Sequence, residues 1–278
     1  MAPFATISVL VENSVASYDV MAEHGLSFWI DTGPRCILFD TGQSNLIIAN
    51  ARKLNIDLDA VDTVILSHGH YDHTGGLADV LANAGGEVKI YLHPLAMLPR
   101  YHKSNKISRE IGMPTHCADI LQAKNTGIQT TTAPTEIAKG ITITGEIPRI
   151  HPEEEDDQGF YQDVEGTNID RIPDDQSLFM NTPAGTVVVL GCAHSGAINT
   201  LDYIYKLTNG QPIVAVMGGT HLHAASERRI AWTIDSLRRF GIRKIYPAHC
   251  TGAKAVQAIW AAFPGKCSTC GVGTKLQF

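Results

Sequence analysis

A histidine-rich stretch at residues 67–77, SHGHYDHTGGL, limits most strongly how this chain folds. Directly before it, residues 63–66 form a β-branched and apolar run that predicts a buried strand. Gly75 and Gly76 then precede apolar residues at helical spacing, which predicts a helix start. The stretch is therefore expected on a loop between a strand end and a helix start, where open α/β sheets build their sites.

Three imidazoles and a carboxylate lie close together in this stretch, at His68, His70, Asp72 and His73. Neutral imidazole nitrogen and carboxylate oxygen are good ligands for zinc, iron or manganese. His68 and His70 are two positions apart, so an extended segment points both side chains the same way. Asp72 and His73 follow after the chain turns and can face a second ion. The alternative, a polar loop rich in histidine by chance, is disfavoured by the strand and glycine flanks.

The pattern His-x-His-x-Asp-His after an apolar strand, followed by Thr-Gly-Gly-Leu, resembles the metallo-β-lactamase superfamily. That resemblance implies an α/β fold, an αββα sandwich of two mixed β-sheets flanked by helices, with a two-metal site. It also implies that Asp40, which follows a predicted strand at residues 36–39, lies beneath the metal ligands and orients a ligand imidazole. Residues 1–278 are expected to form a single domain of this kind.

Three later loops also carry histidine, and each lies between a predicted strand and a predicted helix. Their histidines are His194, His221, His223 and His249. Because these loops share the arrangement of the first motif, all four are expected to converge on one edge of the fold.

The expected site holds two divalent ions, with zinc favoured and iron or manganese as alternatives. The ligands predicted for the first ion are His68, His70 and His194. Those predicted for the second ion are Asp72, His73 and His249. A third imidazole is assigned to the first ion because two alone leave it under-coordinated.

The superfamily usually places a bridging Asp where this chain has Thr220 and His221. Neither residue is a carboxylate. His221 is predicted to ligate one ion, on the second site, although an imidazole does not bridge two metals as a carboxylate does. His223 lies past the ligand position and is predicted to face the substrate, with metal ligation as the alternative.

The predicted function is hydrolysis of a small, anionic, phosphorylated substrate by a metal-bound hydroxide. A bound metal lowers the pKa of its water from about 15.7 toward about 7. Asp72 is predicted to orient that water, and His223 to act as a proton donor. The predicted substrate-binding residues are Arg149, Lys103 and His24; for His24 an ordinary loop position is the alternative.

The sequence contains two polar segments, at residues 95–140 and at residues 153–157. Residues 95–140 lose clear periodicity and are expected to form a lid insertion that covers the site, the alternative being a solvated loop. The basic side chains in the first part of this segment are Arg100, His102, Lys103, Lys106 and Arg109, which are expected to bind phosphate. The acidic run at residues 153–157 is predicted to be a solvated loop.

Motifs spread over nearly the whole chain are similar to one branch of the superfamily, the archaeal dihydropterin–aminobenzene ribose phosphate synthases and their bacterial relatives. They include EHGLS at 23–27, GEIPR at 145–149, GCAH at 191–194, GGTHL at 218–222 and HCTG at 249–252. This resemblance implies a second hypothesis, a transferase that joins a dihydropterin pyrophosphate to an aminobenzene ribose phosphate. A third hypothesis is a non-catalytic metal- or ligand-binding protein, which the missing bridging Asp leaves open.

Composition limits the partners of the protein. A net charge of −6, from 22 basic and 28 acidic residues, argues against a nucleic-acid-binding surface. No apolar run approaches the roughly 18 residues of a membrane span, and the first residues lack the basic region of a signal peptide. A small-molecule substrate is the expected partner; the sequence does not indicate an oligomeric state.

The cysteines favour a reduced, cytoplasmic setting, because the six are scattered apart from Cys267 and Cys270. That pair is predicted to be structurally incidental. Cys192 and Cys250 neighbour predicted metal ligands and are assigned to packing at buried strand ends.

Overall fold

A computed structural model of the chain describes residues 4–105, 107–123, 127–154 and 159–278, so Lys106 lies outside the described residues. The described chain forms two compact units. The first is drawn from Met1–Thr131, Asp157–Asp174 and Gly271–Gln277, and the second from Thr132–Asp156, Asp175–Cys270 and Phe278. The expectation of a single domain stays a prediction.

The secondary structure alternates between strands and helices along the chain. In chain order the strands are β1 Thr6–Val11, β2 Ser27–Asp31, β3 Cys36–Phe39, β4 Thr63–Ile65, β5 Lys89–Leu92, β6 Tyr101–Ser104, β7 Ile107–Glu110, β8 Ile128–Thr130, β9 Thr135–Ala138, β10 Ile141–Ile143, β11 Phe160–Tyr161, β12 Leu178–Thr182, β13 Gly185–Leu190, β14 Ile213–Gly218, β15 Lys244–Pro247 and β16 Lys275–Gln277. The α-helices are α1 Leu46–Lys53, α2 Tyr71–Thr74, α3 Leu77–Asn83, α4 Thr115–Ala123, α5 Ala197–Leu207, α6 Glu227–Arg238 and α7 Ala253–Ala262.

The first unit is built on a mixed seven-stranded sheet with the order β16-β1-β2-β3-β4-β5-β8. Strands β16, β1, β2 and β3 pair antiparallel, whereas β3, β4, β5 and β8 pair parallel. The predicted hairpin at β2 and β3 is confirmed, with Phe28 opposite Phe39. Asp40 and the histidine motif follow β3 and β4, so they leave the sheet at neighbouring parallel strand ends.

The second unit is built on a mixed six-stranded sheet with the order β15-β14-β13-β12-β10-β9. Here β13, β14 and β15 pair parallel, and the remaining neighbours pair antiparallel. Apolar side chains of β13, such as Val188 and Leu190, pack with Leu201 of α5 in the core of this unit. The parallel strand ends lead directly into the loops that carry His194, His221 and His249.

One predicted strand end was wrong. The strand predicted at residues 141–147 ends at Ile143, because Gly145 has a φ of 64° and a Cβ there would lie 2.4 Å from the Ala133 nitrogen. Residues 95–140, in which the sequence shows no clear periodicity, contain β6, β7, α4, β8 and β9 in their described part. Strand β6 pairs with β7 and with β11 in a separate small sheet of the first unit. Their role as a lid stays a prediction.

The acidic run at 153–157 also differs from its prediction. Glu154 is 5% exposed, and its carboxylate accepts hydrogen bonds from the N–H groups of Ile198 (2.8 Å) and Asn199 (2.7 Å) in the first turn of α5. Such N–H groups have no partner within a helix, and the positive helix end attracts a carboxylate. The solvated-loop prediction is therefore wrong for Glu154, and residues 155–157 lie outside the described residues.

Glu154 gives the second unit a pH-dependent stability. Burial raises the pKa of its carboxyl, and hydrogen bonds from α5 and the charges of Arg229 and His151 only partly offset this. The folded chain then binds more protons than the unfolded chain, so the free energy of unfolding falls as pH rises from 4.5 through the raised value. We expect Glu154→Gln to flatten this fall, as measured by urea unfolding across pH. Glu87→Gln, at an exposed position, should keep the wild-type slope.

None of the helices in the described part of the chain is both long and apolar enough to span a membrane.

Candidate metal-binding site

The histidine motif of the first unit places its rings against one another. The ring centroid of His68 lies 4.5 Å from that of His70 and 4.3 Å from that of His73. A hydrogen bond of 2.9 Å joins His68 Nε2 to His70 Nδ1. His68 and His73 are fully buried and His70 is 5% exposed. Several imidazole nitrogens are thus gathered in one shielded region.

Asp40 supports this cluster from beneath. Its Oδ2 accepts hydrogen bonds from His73 Nδ1 (2.7 Å) and the Ser67 hydroxyl (2.8 Å), and its Oδ1 accepts the Ser67 N–H (2.7 Å). The Ser67 hydroxyl in turn lies 2.8 Å from His68 Nδ1. Because these contacts engage the Nδ1 atoms, they orient Nε2 of His73 and of His68 away from Asp40. This is how a carboxylate fixes a metal-binding imidazole.

Replacing Asp40 with alanine is expected to weaken metal binding about 10- to 100-fold, because the His73 ring loses the partner that orients it. Competition titration with a chromogenic chelator measures this affinity. Asp62→Ala, which removes a partly exposed carboxylate of the same unit, is the control and should bind metal as the wild type does. Equal affinities in both variants would contradict the supporting role of Asp40.

Asp72 and His73 lie on the short helix α2, so part of the predicted loop is helical. Asp72 Oδ2 lies 3.7 Å from His73 Nε2 and 3.2 Å from His24 Nε2. The Asp72 side chain is 9% exposed and that of His24 is 54% exposed. His24 therefore contacts a predicted ligand from the solvent side, which favours its assignment to the site over an ordinary loop position.

Arg100 anchors the loop that carries His68 and His70. Its guanidinium is 2% exposed and binds Asp174 Oδ1 (2.6 Å) and Asp170 Oδ2 (3.0 Å). The other oxygen of Asp174 accepts the N–H of Gly69 at 2.8 Å. The expectation that Arg100 binds phosphate is wrong, since two buried carboxylates engage it.

Lys103 and Arg109 lie nearer the surface of the first unit than Arg100 does. Lys103 is partly buried, and its ammonium donates to the carbonyl oxygen of Glu165. The guanidinium carbon of the exposed Arg109 lies over the ring of Tyr71, 5.0 Å from the ring centroid. Tyr71 is the neighbour of Asp72 in the chain. Burial, and then the charge of Asp72, raise the pKa of the Tyr71 phenol. The role of Lys103 in substrate binding stays a prediction.

The second unit gathers donors at the ends of three parallel strands. They are Cys192 and His194 after β13, His221 after β14, and His249 and Cys250 after β15. All five are 9% exposed or less. The rings of His194 and His221 lie 4.2 Å apart between centroids. Cys192 Sγ lies within 4.8 Å of a ring nitrogen of each histidine in this set and of Cys250 Sγ.

The backbone at these strand ends is strained. Left-handed φ angles occur at Asp40 (61°) in the first unit and at Ala193 (53°), His221 (49°) and His249 (50°) in the second. Such conformations cost about 1–3 kcal/mol each and persist where the surrounding structure imposes them, which is commonly at functional sites. Their position next to the predicted ligands supports a functional role for these loops.

Thr220 does not take the place of the bridging carboxylate. Its hydroxyl lies 3.1 Å from the hydroxyl of Thr251, which also accepts the Thr220 N–H at 3.2 Å. Thr220 therefore ties the loop after β14 to the loop after β15.

Two charged residues hold the loop after β13. Arg149 donates from Nη1 to the carbonyl oxygen of His194 at 2.9 Å, and Asp175 Oδ2 accepts the N–H of Ser195 at 2.8 Å. His223 is exposed, and its ring lies 5.0 Å from that of His221 at an interplanar angle of 84°. The second unit thus holds a buried donor set with an exposed imidazole beside it.

The thiols of this set are chemically distinctive. Burial alone would raise the pKa of the Cys250 thiol, but hydrogen bonding to Cys192 and the neighbouring His221 lower it to about 6. The donor chemistry of both units, neutral imidazoles with a carboxylate in one and thiols in the other, fits a divalent transition metal.

The comparison with known sequences agrees with this chemistry. The sequence profile of the metallo-beta-lactamase superfamily matches residues 21–249, and the chain belongs to this superfamily. Its fold is the metallo-β-lactamase fold of mixed sheets flanked by helices, and members typically bind divalent metals.

Two similar proteins are known from Methanocaldococcus jannaschii. One, 32% identical over 249 residues that cover 84% of this chain and 83% of the relative, is 7,8-dihydropterin-6-methyl-4-(beta-D-ribofuranosyl)-aminobenzene-5'-phosphate synthase. An uncharacterised protein is 32% identical over 250 residues, covering 90% of this chain and 92% of its own length. Among solved structures, Tm1679, described as a metal-dependent hydrolase of the beta-lactamase superfamily, superposes with a TM-score of 0.84, 30% identity and 99% coverage of both chains.

Sequence reasoning missed the residues that hold the ligand loops. Asp174 and Asp175 are adjacent, yet each binds the backbone of a different loop, at Gly69 in the first unit and Ser195 in the second. A pair of acidic residues just before the strand β12 was the available signal. Its backbone-anchoring role required the partners to be known.

Proposed function

We propose that this protein is a metal-dependent enzyme that acts on a small phosphorylated molecule. The observation that carries the proposal is the buried donor cluster of the first unit, in which Asp40 fixes His73 and Ser67 and Asp174 fixes the backbone at Gly69. Burying several imidazoles and carboxylates is costly unless they are paired or bind a metal. Membership of a superfamily whose members typically bind divalent metals supports the same conclusion.

The proposed ligands are those expected from the sequence. One ion is assigned to His68, His70 and His194, and the other to Asp72, His73 and His249, with His221 as an additional ligand. When bound, a divalent ion supplies a water of lowered pKa and polarises a phosphoryl or carbonyl oxygen.

Side chains of this protein are proposed to transfer the protons and to bind the charged substrate. Asp72 is proposed to accept the proton of the attacking nucleophile, with His24 Nε2 3.2 Å from its Oδ2 on the solvent side. The exposed imidazole of His223 is proposed to donate a proton to the leaving group. Arg149, whose Nη1 donates a hydrogen bond to the carbonyl oxygen of His194, is proposed to bind a substrate phosphate.

Hydrolysis is the primary proposal, and transfer to a second substrate is the alternative. The name of the relative at 32% identity, an aminobenzene phosphate synthase, favours the alternative. The description of Tm1679 as a hydrolase, at 30% identity, favours hydrolysis. Both reactions would use the bound divalent ions in the same way. They differ in the acceptor, which is water in hydrolysis and a second substrate in transfer.

Product analysis tests the proposal. The metal-loaded protein is incubated with simple phosphoesters, and with a dihydropterin pyrophosphate in the presence and absence of an aminobenzene ribose phosphate. Hydrolysis splits one substrate into two fragments, whereas transfer joins two substrates and releases pyrophosphate. Asp72→Asn is the matched control and should lose either activity. A metal-loaded wild type that turns over none of these substrates would contradict the proposal and favour a non-catalytic binding protein.

Arg149→Ala is expected to raise KM for phosphorylated substrates about tenfold or more, because a hydrogen bond to a charged group contributes about 1.5–3 kcal/mol. Initial-rate kinetics at constant metal content measure this change. Arg243→Ala, which removes an exposed guanidinium of the same unit, should leave KM unchanged. Equal KM values in the two variants would remove Arg149 from the proposed binding site.

A further inference from the structure

The loops after β13, β14 and β15 contain imidazoles and thiols but no carboxylate. The usual carboxylate position is taken by Thr220 and His221, and Thr220 is bound to Thr251. The imidazoles of these loops bring no negative charge to a divalent ion, so among the side chains of these loops only a thiolate would supply one. An anionic donor among the remaining side chains would restore that charge.

Cys192 is placed to be that donor. Its Sγ lies within 4.8 Å of ring nitrogens of His194, His221 and His249, and it is 3% exposed. The three histidines do not form one group around the sulfur, but each places a ring nitrogen near it, and imidazole nitrogen and thiolate sulfur are both common zinc ligands. Packing alone would be satisfied by any small apolar side chain and does not explain why the sulfur is surrounded by ring nitrogens.

We propose that the thiolate of Cys192 is a metal ligand in this protein and supplies the negative charge that the superfamily usually takes from a bridging Asp. The proposal rests on the proposed function and extends it to the identity of the metal. Soft thiolate donors select zinc or iron over manganese, whereas an all-imidazole and carboxylate site leaves the three open.

Cys250 has a different position. Its Sγ lies 3.5 Å from the carbonyl oxygen of Cys192, to which the protonated thiol donates. As a thiolate, Cys250 would instead compete with Cys192 as the sulfur ligand, and the serine variants of the two cysteines distinguish these roles. Gly219 makes this approach feasible, since a Cβ there would lie 2.5 Å from Cys250 Sγ and 2.6 Å from the Gly191 carbonyl oxygen. Cys250 is therefore a positioning residue that holds the Cys192 loop.

X-ray absorption spectroscopy at the zinc edge tests the proposal on the zinc-loaded full chain. A sulfur ligand gives a scattering shell at about 2.3 Å, distinct from nitrogen and oxygen ligands at about 2.0–2.1 Å. We expect the sulfur shell in the wild type and in Cys250→Ser, and its loss in Cys192→Ser. Cys117→Ser, which replaces a buried cysteine of the first unit, is the control and should retain the shell.

Each alternative result has a distinct meaning. Bound zinc with only nitrogen and oxygen shells in the wild type would overturn the role of Cys192 and leave the proposed function intact. Loss of the sulfur shell in Cys250→Ser but not in Cys192→Ser would overturn the assignment to Cys192. A wild type that binds no metal would overturn the proposed function as well.

A second measurement covers the case in which Cys192→Ser does not fold. Cobalt-loaded wild type is expected to show an intense thiolate-to-metal charge-transfer band in the near ultraviolet. The matched comparison is Cys117→Ser loaded with cobalt, which should show the same band. A cobalt spectrum with only weak d–d bands in the wild type would overturn the proposal without any variant at position 192.

Discussion

Replacing His249 with alanine is expected to lower the metal content of the purified protein from about two ions per chain to about one, because the second ion loses an imidazole ligand. His194→Ala is expected to lower the content similarly through the first ion. Plasma mass spectrometry after reconstitution and gel filtration measures both values. Either loss should abolish the activity, since each ion is assigned a role in the reaction.

His223→Ala is the matched control for these two variants. It also removes one imidazole, but from an exposed position beyond the predicted ligands, so it should retain about two ions. Unchanged metal in His194→Ala and His249→Ala would contradict the ligand assignment. A wild type with nearly no metal would mean that the missing carboxylate has disabled the site, and the binding-protein hypothesis would take precedence.

Arg100→Leu is expected to lower the free energy of unfolding by about 3–5 kcal/mol, because it leaves the buried carboxylates of Asp170 and Asp174 without their cation. The loop at Gly69 should also lose its anchor as Asp174 reorients. Urea unfolding of the metal-free protein measures the change, because bound metal would add its own stabilisation.

Arg35→Ala provides the comparison, because Arg35 pairs with Asp62 at a site where both side chains are about one-third exposed. Partly exposed pairs of this kind contribute about 0–1 kcal/mol. A similar small loss in Arg100→Leu would show that the buried pair does not anchor the first unit. Reduced metal affinity in Arg100→Leu but not in Arg35→Ala would link the pair to the histidine loop.

Much of the fold was predictable because it depends on local patterns. The alternating and β-branched runs of β1, β2 and β13 indicate strands, and the turn between β2 and β3 indicates a hairpin. Each histidine loop follows an apolar run, so the order of strand, loop and helix is visible without coordinates. The lengths were less predictable, as β10 shows, because its end is set by a contact between Gly145 and Ala133.

The candidate site, like the fold, was predictable where its residues are close in the sequence and not where they are distant. His68, His70, Asp72 and His73 are close in sequence, and their spacing alone places them together. The pairing of this cluster with His194 and His249 around shared ions stays a prediction. The thiol of Cys192 was assigned to packing because a cysteine before a predicted ligand has the same local pattern whether it binds a metal or fills a core.

The sequence by itself determined the superfamily, the strand-and-loop order and the chemistry of the donor side chains. Only the tertiary structure decided which charged residues are buried and what they hold. Arg100 and Asp174 are 74 positions apart, Glu154 and Ile198 are 44 apart, and Cys192 and Cys250 are 58 apart. A buried charge requires a partner that neutralises or hydrogen-bonds it, and no local pattern identifies a partner so distant in the chain.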